Sequence, residues 1–179
     1  MVHTREMVLI GVMAAVLCIL GPVSLAIPIS PVPISFTTFA LFLAVYVLGC
    51  KRGTICYLIY LLLGMVGMPV FSGFSGGIGK LLGPTGGYLI GMIFTAAIAG
   101  LCIDRSDRFF VHVTGMVLGT VICYTFGTTW LARQAEMNFF AALSAGVIPF
   151  IPGDLIKMIL AFFVGGTIRK RLRMEGLNG

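Results

Sequence analysis

Long, largely apolar stretches make up most of the chain. Four of them contain no Asp, Glu, Lys or Arg: residues 7–50, 53–79, 81–103 and 109–132. A helix of about 20 apolar residues spans the hydrocarbon core of a bilayer, so the longest stretch holds two spans. Four prolines in "GPVSLAIPISPVPIS" (21–35) bar a continuous helix between those two spans. Long unbroken runs also favour helices over barrel strands, which alternate in polarity over about 10 residues.

This pattern predicts an all-α integral membrane protein. We expect one bundle of six transmembrane helices, near residues 6–24, 36–50, 53–69, 86–103, 109–131 and 147–168. Composition agrees, because 59% of the 179 residues are hydrophobic and only 10% are charged. A soluble domain carries about a quarter charged residues. The chain is too short for more than one such bundle, so we expect residues 1–179 to form a single membrane domain.

The basic residues predict the orientation of the bundle. If the N-terminus is inside, nine of them face the cytoplasm: Arg5, Lys51, Arg52, Arg105, Arg108, Arg169, Lys170, Arg171 and Arg173. Lys80 and Arg133 fall outside, so the positive-inside rule predicts that both termini are cytoplasmic. The formal net charge of +6 then mostly reflects topology. We interpret the basic tail (169–179) as a stop-transfer anchor rather than as a contact for nucleic acid.

The sequence carries no recognisable pattern for catalysis or for metal binding. Its five cysteines show no Cys-x-x-Cys or Cys/His spacing, and its two histidines are isolated. No nucleophile stands beside a base within the predicted spans. We therefore expect a protein that is not an enzyme and that holds neither a metal nor a cofactor.

A glycine-rich segment, "MPVFSGFSGGIGKLLGPTGGYLIG" (68–91), forms the predicted outer loop between helices 3 and 4. It contains eight glycines and no acidic residue. A phosphate-binding P-loop requires Gly-x-x-x-x-Gly-Lys-Ser/Thr, but Phe74 and Leu81 occupy its first and last positions. Backbone at membrane depth is tolerated only where it is buried or lines a cavity. The segment therefore suits a lid over an outer pocket, and a plain re-entrant connector is the alternative.

Two charges interrupt the last apolar stretch, in "IPGDLIKMIL" (151–160). Asp154 and Lys157 are three residues apart and share one face of a helix. At 1.5 Å per residue, Lys157 lies about 18 Å and Asp154 about 22 Å from the inner boundary at Arg169. Pro152 indicates that the helix begins just above them.

A buried charge in a membrane span requires an explanation. It costs about 2.5–3.5 kcal/mol at a helix centre on insertion scales, and such residues are by default candidates for function. A carboxylate accepts hydrogen bonds from N–H groups, whereas an ammonium binds an anion or a carbonyl. The implied ligand is small and largely apolar, with N–H donors and an acceptor or carboxylate. Mutual pairing of Asp154 and Lys157 in support of folding is the alternative.

Three stretches of the chain resemble hallmark segments of the BioY family: "PVPISFTTFALFLA", "GMPVFSGFSGGIGKLLGPTGGYLIG" and "IPGDLIK". The resemblance extends through residues 5–172. BioY proteins are the biotin-specific substrate-capture components of energy-coupling factor (ECF) transporters. The resemblance implies a multi-pass protein of a bacterial or archaeal cytoplasmic membrane that binds biotin with high affinity at its outer face. It also implies a partner module of one membrane coupling protein and two cytoplasmic ATPases.

The resemblance further implies which residues contact biotin. Asp154 would bind the ureido N–H groups, and Lys157 would bind a ligand oxygen, either carbonyl or carboxylate. Tyr88 and the 71–79 loop would pack over the ring. The implied contacts are Asp154, Lys157, Tyr88, Phe71, Phe74, Gly77 and Thr37. Family members often carry Gln in place of Thr37 and usually an apolar residue in place of Lys80.

The first span carries a face of small residues formed by Gly11, Ala14 and Ala15. Small residues allow another helix to approach closely. Family resemblance implies that this face meets the coupling protein, and packing within the bundle is the alternative. A second possible function is a self-sufficient secondary transporter for a small amphipathic carboxylate. Such transporters are usually larger and contain inverted repeats, and we find no convincing repeat here.

Overall fold

The computed structural model describes residues 4–26, 28 and 30–174, and helices dominate this part of the chain. The helices are α1 (Thr4–Leu20), α2 (Thr37–Met65), α3 (Ile78–Leu82), α4 (Gly86–Arg105), α5 (Phe109–Gln134), α6 (Phe139–Gly146) and α7 (Ile151–Met174). Two short strands, β1 (Ser24–Leu25) and β2 (Ile34–Ser35), pair antiparallel in the proline-rich segment. The predicted all-helical class is confirmed, with this strand pair as a small addition.

Helix α2 consists of two helical segments that meet at Gly49. This residue has φ +77° and ψ −177°, a conformation that only glycine adopts readily. A Cβ on Gly53 would lie 3.0 Å from the Cα of Val45, whereas residues eight apart in a straight helix are about 12 Å apart. The chain therefore doubles back at Gly49. The predicted break between the second and third spans lay at 51–52, two residues later than the observed one.

The end of the chain differs most from the prediction. The last span was predicted near 147–168, but α7 runs from Ile151 to Met174 and includes the first part of the basic tail. The preceding residues form a separate helix, α6, which was not predicted and which begins after an Asn138 side-chain cap. Proline explains the break, because it is tolerated in the first turn of a helix but not in its interior. Pro149 therefore separates the helices, and Pro152 lies in the first turn of α7. Residues 175–179 of the predicted tail lie outside the described residues.

Four helices in the described residues are long and apolar enough to cross a membrane: α2, α4, α5 and α7. Helices α4 and α5 pack most closely, since a Cβ on Gly119 would lie 2.9 Å from the Cα of Thr95. Helix α7 packs mainly on α2, and its backbone approaches that of α5 at only a few positions. This uneven packing leaves an internal space bordered by α2, α4, α5 and α7.

The outer surface of α1 carries part of the predicted small-residue face. Gly11 and Ala15 are exposed, and a Cβ on Gly11 would meet no described atom within 4 Å. Ala14 instead lies in the hydrophobic core beside Met13 and Leu17. The small-residue face that the fold leaves open on α1 therefore comprises Gly11 and Ala15 without Ala14.

Candidate ligand-binding site

A cavity lies where β2, the glycine-rich segment and helices α2, α4, α5 and α7 meet. About 730 Å³ of it, including the open mouth, is free of protein atoms. Its apolar wall is formed by Val32, Pro33, Leu89, Met92 and Phe150. Small-molecule sites typically combine such a wall with a few well-placed polar groups.

A charge pair and a tyrosine form the polar end of this cavity. Lys157 Nζ donates to Asp154 Oδ1 over 2.9 Å, and Tyr124 Oη donates to Asp154 Oδ2 over 2.5 Å. The side chains of Asp154 and Lys157 are each about 9% exposed. We call these three residues the charge-pair pole. Both predicted roles of the charges are thus compatible with the structure, because the two residues pair and also line the cavity.

The start of α7 positions the charge-pair pole. Asp154 lies in the first turn of the helix, where the backbone N–H groups and the helix dipole favour a carboxylate. Its own N–H donates to the carbonyl of Phe150 over 2.8 Å, which anchors the turn. Lys157 follows one turn later on the same face. The predicted helix start near Pro152 is therefore confirmed.

Tyr88 lines the cavity from the first turn of α4. Its ring occupies space that two glycines leave open, since a Cβ on Gly127 would lie 2.3 Å from Cδ1 and one on Gly146 would lie 2.2 Å from Oη. The Tyr88 hydroxyl also lies 3.3 Å from Thr128 Oγ1. Glycines from two different helices therefore fix the orientation of this ring.

Thr37 also lines the cavity, at the start of α2. It is 1% exposed, accepts a hydrogen bond from Ser35 Oγ over 3.0 Å and lies 3.5 Å from the carbonyl of Gly21. Its hydroxyl is thus held mainly by neighbouring protein groups.

The structure places the other predicted residues of the glycine-rich segment away from the cavity lining. Phe71 is fully buried, and its ring packs 5.6 Å from that of Tyr60 in the space above Gly64. Phe74 is 69% exposed, and Gly77 forms a backbone hydrogen bond to Gly64 over 2.7 Å. Phe71 therefore anchors this segment to α2 rather than covering the cavity.

Most of the residues that line the cavity were not anticipated as contacts, among them the polar residues Tyr124, Lys80 and Thr85. Tyr124 is 30 residues from Asp154 in sequence, and no local pattern pairs them. Lys80 was noted as a charge within the loop, but its direction depends on how α3 packs. The described residues contain no group of three or more His, Cys, Asp or Glu side chains that could hold a metal ion.

Comparisons with known proteins give consistent matches along the chain. The sequence profile described as the BioY family matches residues 1–174. A protein of Thermotoga maritima named "Biotin transporter BioY" is 37% identical over 171 residues, covering 93% of this chain and 96% of the relative. A protein of Pyrococcus horikoshii named "Probable biotin transporter BioY" is 39% identical over 165 residues, with 92% and 96% coverage.

A solved structure also resembles the fold of this chain. It is described as the S-component for biotin from an ECF-type ABC transporter, and it aligns with a TM-score of 0.85 at 33% sequence identity. The alignment covers 93% of this chain and 91% of that structure. A likeness of this extent includes the helices that border the cavity.

Proposed function

Because the chain belongs to the BioY family, we propose that it is the biotin-binding membrane subunit of an ECF transporter and captures biotin for uptake. The observation that carries this proposal is the charge-pair pole inside a largely apolar cavity. Biotin has a ureido group with two N–H donors and one carbonyl, an apolar bicyclic ring and chain, and a terminal carboxylate. Its polar and apolar parts correspond to those of the cavity.

The hydrogen-bonding capacity of Asp154 supports a ureido contact. An ionised carboxylate has about four lone-pair sites, and Lys157 and Tyr124 use two of them. The remaining sites can accept the two ureido N–H groups. Lys157 carries three donors, of which one is used, so it can also donate to the ureido carbonyl. The carboxylate thus binds the ligand without giving up its partners.

We propose six spans with both termini in the cytoplasm. This count takes α1 as the first span and the two segments of α2, on either side of Gly49, as the second and third. The excess of basic residues on the predicted inner face supports the orientation. The site then opens toward the outer side, where biotin is captured.

We also propose that the exposed face of Gly11 and Ala15 on α1 contacts a membrane coupling protein, which works with two cytoplasmic ATPases. Small residues permit close approach of a second helix, and no described residue of the bundle covers Gly11. The cavity supplies binding, and the module would supply the energy for release. A self-sufficient secondary transporter would instead concentrate biotin in vesicles that hold this chain alone.

Equilibrium binding of radiolabelled biotin to the purified chain in detergent, without ATP or partners, tests the proposed function. We expect tight binding by the wild type and a loss of about 3 kcal/mol, roughly a hundredfold, in Asp154→Asn and in Lys157→Ala. Asp107→Asn, in the α4–α5 connection, and Lys170→Ala, in the C-terminal half of α7, change exposed residues and serve as matched controls. A folded wild type that does not bind biotin would refute the proposal.

A further inference from the structure

We propose that the cavity has a second polar pole, formed by Lys80, Thr85 and the N-terminal end of α4, which binds the carboxylate of the ligand. We call it the loop pole. This inference rests on the proposed function and assigns the two ends of the ligand. The bicyclic head would lie at the charge-pair pole, and the acidic tail would lie at the loop pole.

The charges that line the cavity support this assignment. Three charged side chains of the described residues line it: Asp154, Lys157 and Lys80. Asp154 and Lys157 balance each other across 2.9 Å. No ion pair to Lys80 occurs among the described residues, so the lining carries one uncompensated positive charge. A ligand with one carboxylate supplies the missing negative charge.

Thr85 supplies an independent observation at the same pole. Its Oγ1 atom is buried and lines the cavity, yet it has no hydrogen-bond partner among the described residues. It does not cap α4, although it occupies the N-cap position. Buried hydroxyls are almost always hydrogen-bonded, and a ligand oxygen would satisfy this one. The 20-residue helix that starts at the next residue adds a positive dipole end.

The sequence "GPTGG" (83–87) holds Thr85 in place. Trp130 Nε1 donates to the carbonyl of Gly83 over 2.9 Å, which ties the turn to α5. A Cβ on Gly86 would lie 1.6 Å from the carbonyl oxygen of Leu81, so only glycine allows this close return of the chain. The turn therefore fixes the Thr85 hydroxyl and the short helix that carries Lys80 relative to each other.

The assignment also identifies the ligand oxygen that Lys157 contacts. Its charge is already neutralised by Asp154, so it has little to gain from a second anion. The ureido carbonyl, a neutral acceptor, is therefore its partner. Lys80 has no such ion-pair partner among the described residues and takes the carboxylate, in a charge-assisted bond that is stronger than a neutral one.

Binding of biotin and of biotin methyl ester, which lacks the negative charge, tests the loop pole. We expect the wild type to bind biotin roughly ten- to a hundredfold more tightly than the ester. The affinity of Lys80→Met for biotin should fall by about that factor, whereas its affinity for the ester should stay at the wild-type value. The ratio of the two affinities should therefore fall to near one. Thr85→Val should reduce the preference in the same direction. Lys51→Met and Thr129→Val, at exposed positions elsewhere, are the matched controls.

The possible outcomes separate this inference from the proposed function. Equal losses for biotin and the ester in Lys80→Met would mean that Lys80 supports the loop, which overturns the loop pole. An unchanged preference in Lys80→Met would overturn it as well, as would a wild type with equal affinity for both ligands. Ester binding by each variant also reports that the variant is folded. A wild type that binds neither ligand would count against the proposed function itself.

Discussion

The three residues of the charge-pair pole should contribute unequally to the stability of the ligand-free protein. Asp154 has two partners, Lys157 and Tyr124, whereas Lys157 has a hydrogen bond to Asp154 alone among the described residues. Asp154→Asn removes the ion pair and weakens the tyrosine bond. Lys157→Met removes the ion pair but leaves the tyrosine bond. We therefore expect Asp154→Asn to be the more destabilising single substitution.

The magnitudes follow from the burial of the pair. Breaking a buried ion pair by removing one partner costs about 3–5 kcal/mol, because the remaining charge is left uncompensated. This is the expected cost of Lys157→Met. A hydrogen bond to a charged group contributes about 1.5–3 kcal/mol, which is the expected cost of Tyr124→Phe and the extra cost of Asp154→Asn. The double variant Asp154→Asn/Lys157→Met leaves no unpaired buried charge, so its loss of unfolding free energy should be smaller than that of either single variant.

Unfolding in mixed micelles by titration with sodium dodecyl sulfate measures these differences. The chain contains a single tryptophan, Trp130, which lies half-buried on α5 and provides a fluorescence signal of the folded bundle. The exposed pair of Arg173 and Asp107 is the matched control, because surface ion pairs contribute about 0–1 kcal/mol. Removing Arg173 should therefore shift the free energy of unfolding by less than about 1 kcal/mol.

Two results would refute this reasoning. If Lys157→Met destabilises the protein as much as Asp154→Asn, the tyrosine bond does not hold the carboxylate as the structure indicates. If the costs of Asp154→Asn and Lys157→Met simply add in the double variant, the two charges do not interact across 2.9 Å.

Two further predictions concern the partner surface and the topology. Gly11→Leu should preserve folding and biotin binding but abolish ATP-dependent uptake by the assembled transporter. The control Gly64→Leu should fail to fold, because a Cβ at this position would lie 2.1 Å from Cζ of Phe71. Wild-type uptake by Gly11→Leu would exclude this face as the partner contact. In a cysteine-free variant of the chain, a membrane-impermeant maleimide applied to intact cells should label Glu136→Cys and leave Ser106→Cys unlabelled. The reverse labelling would invert the proposed orientation.

Hydropathy and proline positions predicted the class of the protein and the location of most helices. An uncharged run long enough to span a bilayer has few alternatives to a helix, because lipid cannot satisfy its backbone groups. Pro152 marked the first turn of α7, and the cost of a charge in lipid marked Asp154 and Lys157. These conclusions depend on local composition alone.

The directions of side chains were decided only by the tertiary structure. Helices that are apolar nearly all round have no polar face to show which side meets the bundle, so Ala14 was grouped with Gly11 although it faces the core. Phe71 was assigned to the ligand, but the space above Gly64 takes its ring. Thr85 and Lys80 turn into the cavity because of the close return of the chain at Gly86.

The sequence by itself therefore determined that this is a helical membrane protein with two charges near the start of its last helix. Packing between distant segments decided the rest of the site, including the contact between Tyr124 and Asp154. The physical reason is that hydropathy is a sum over neighbouring residues, whereas a binding site depends on the directions in which side chains of distant residues point. Those directions arise only when helices from different parts of the chain pack against one another.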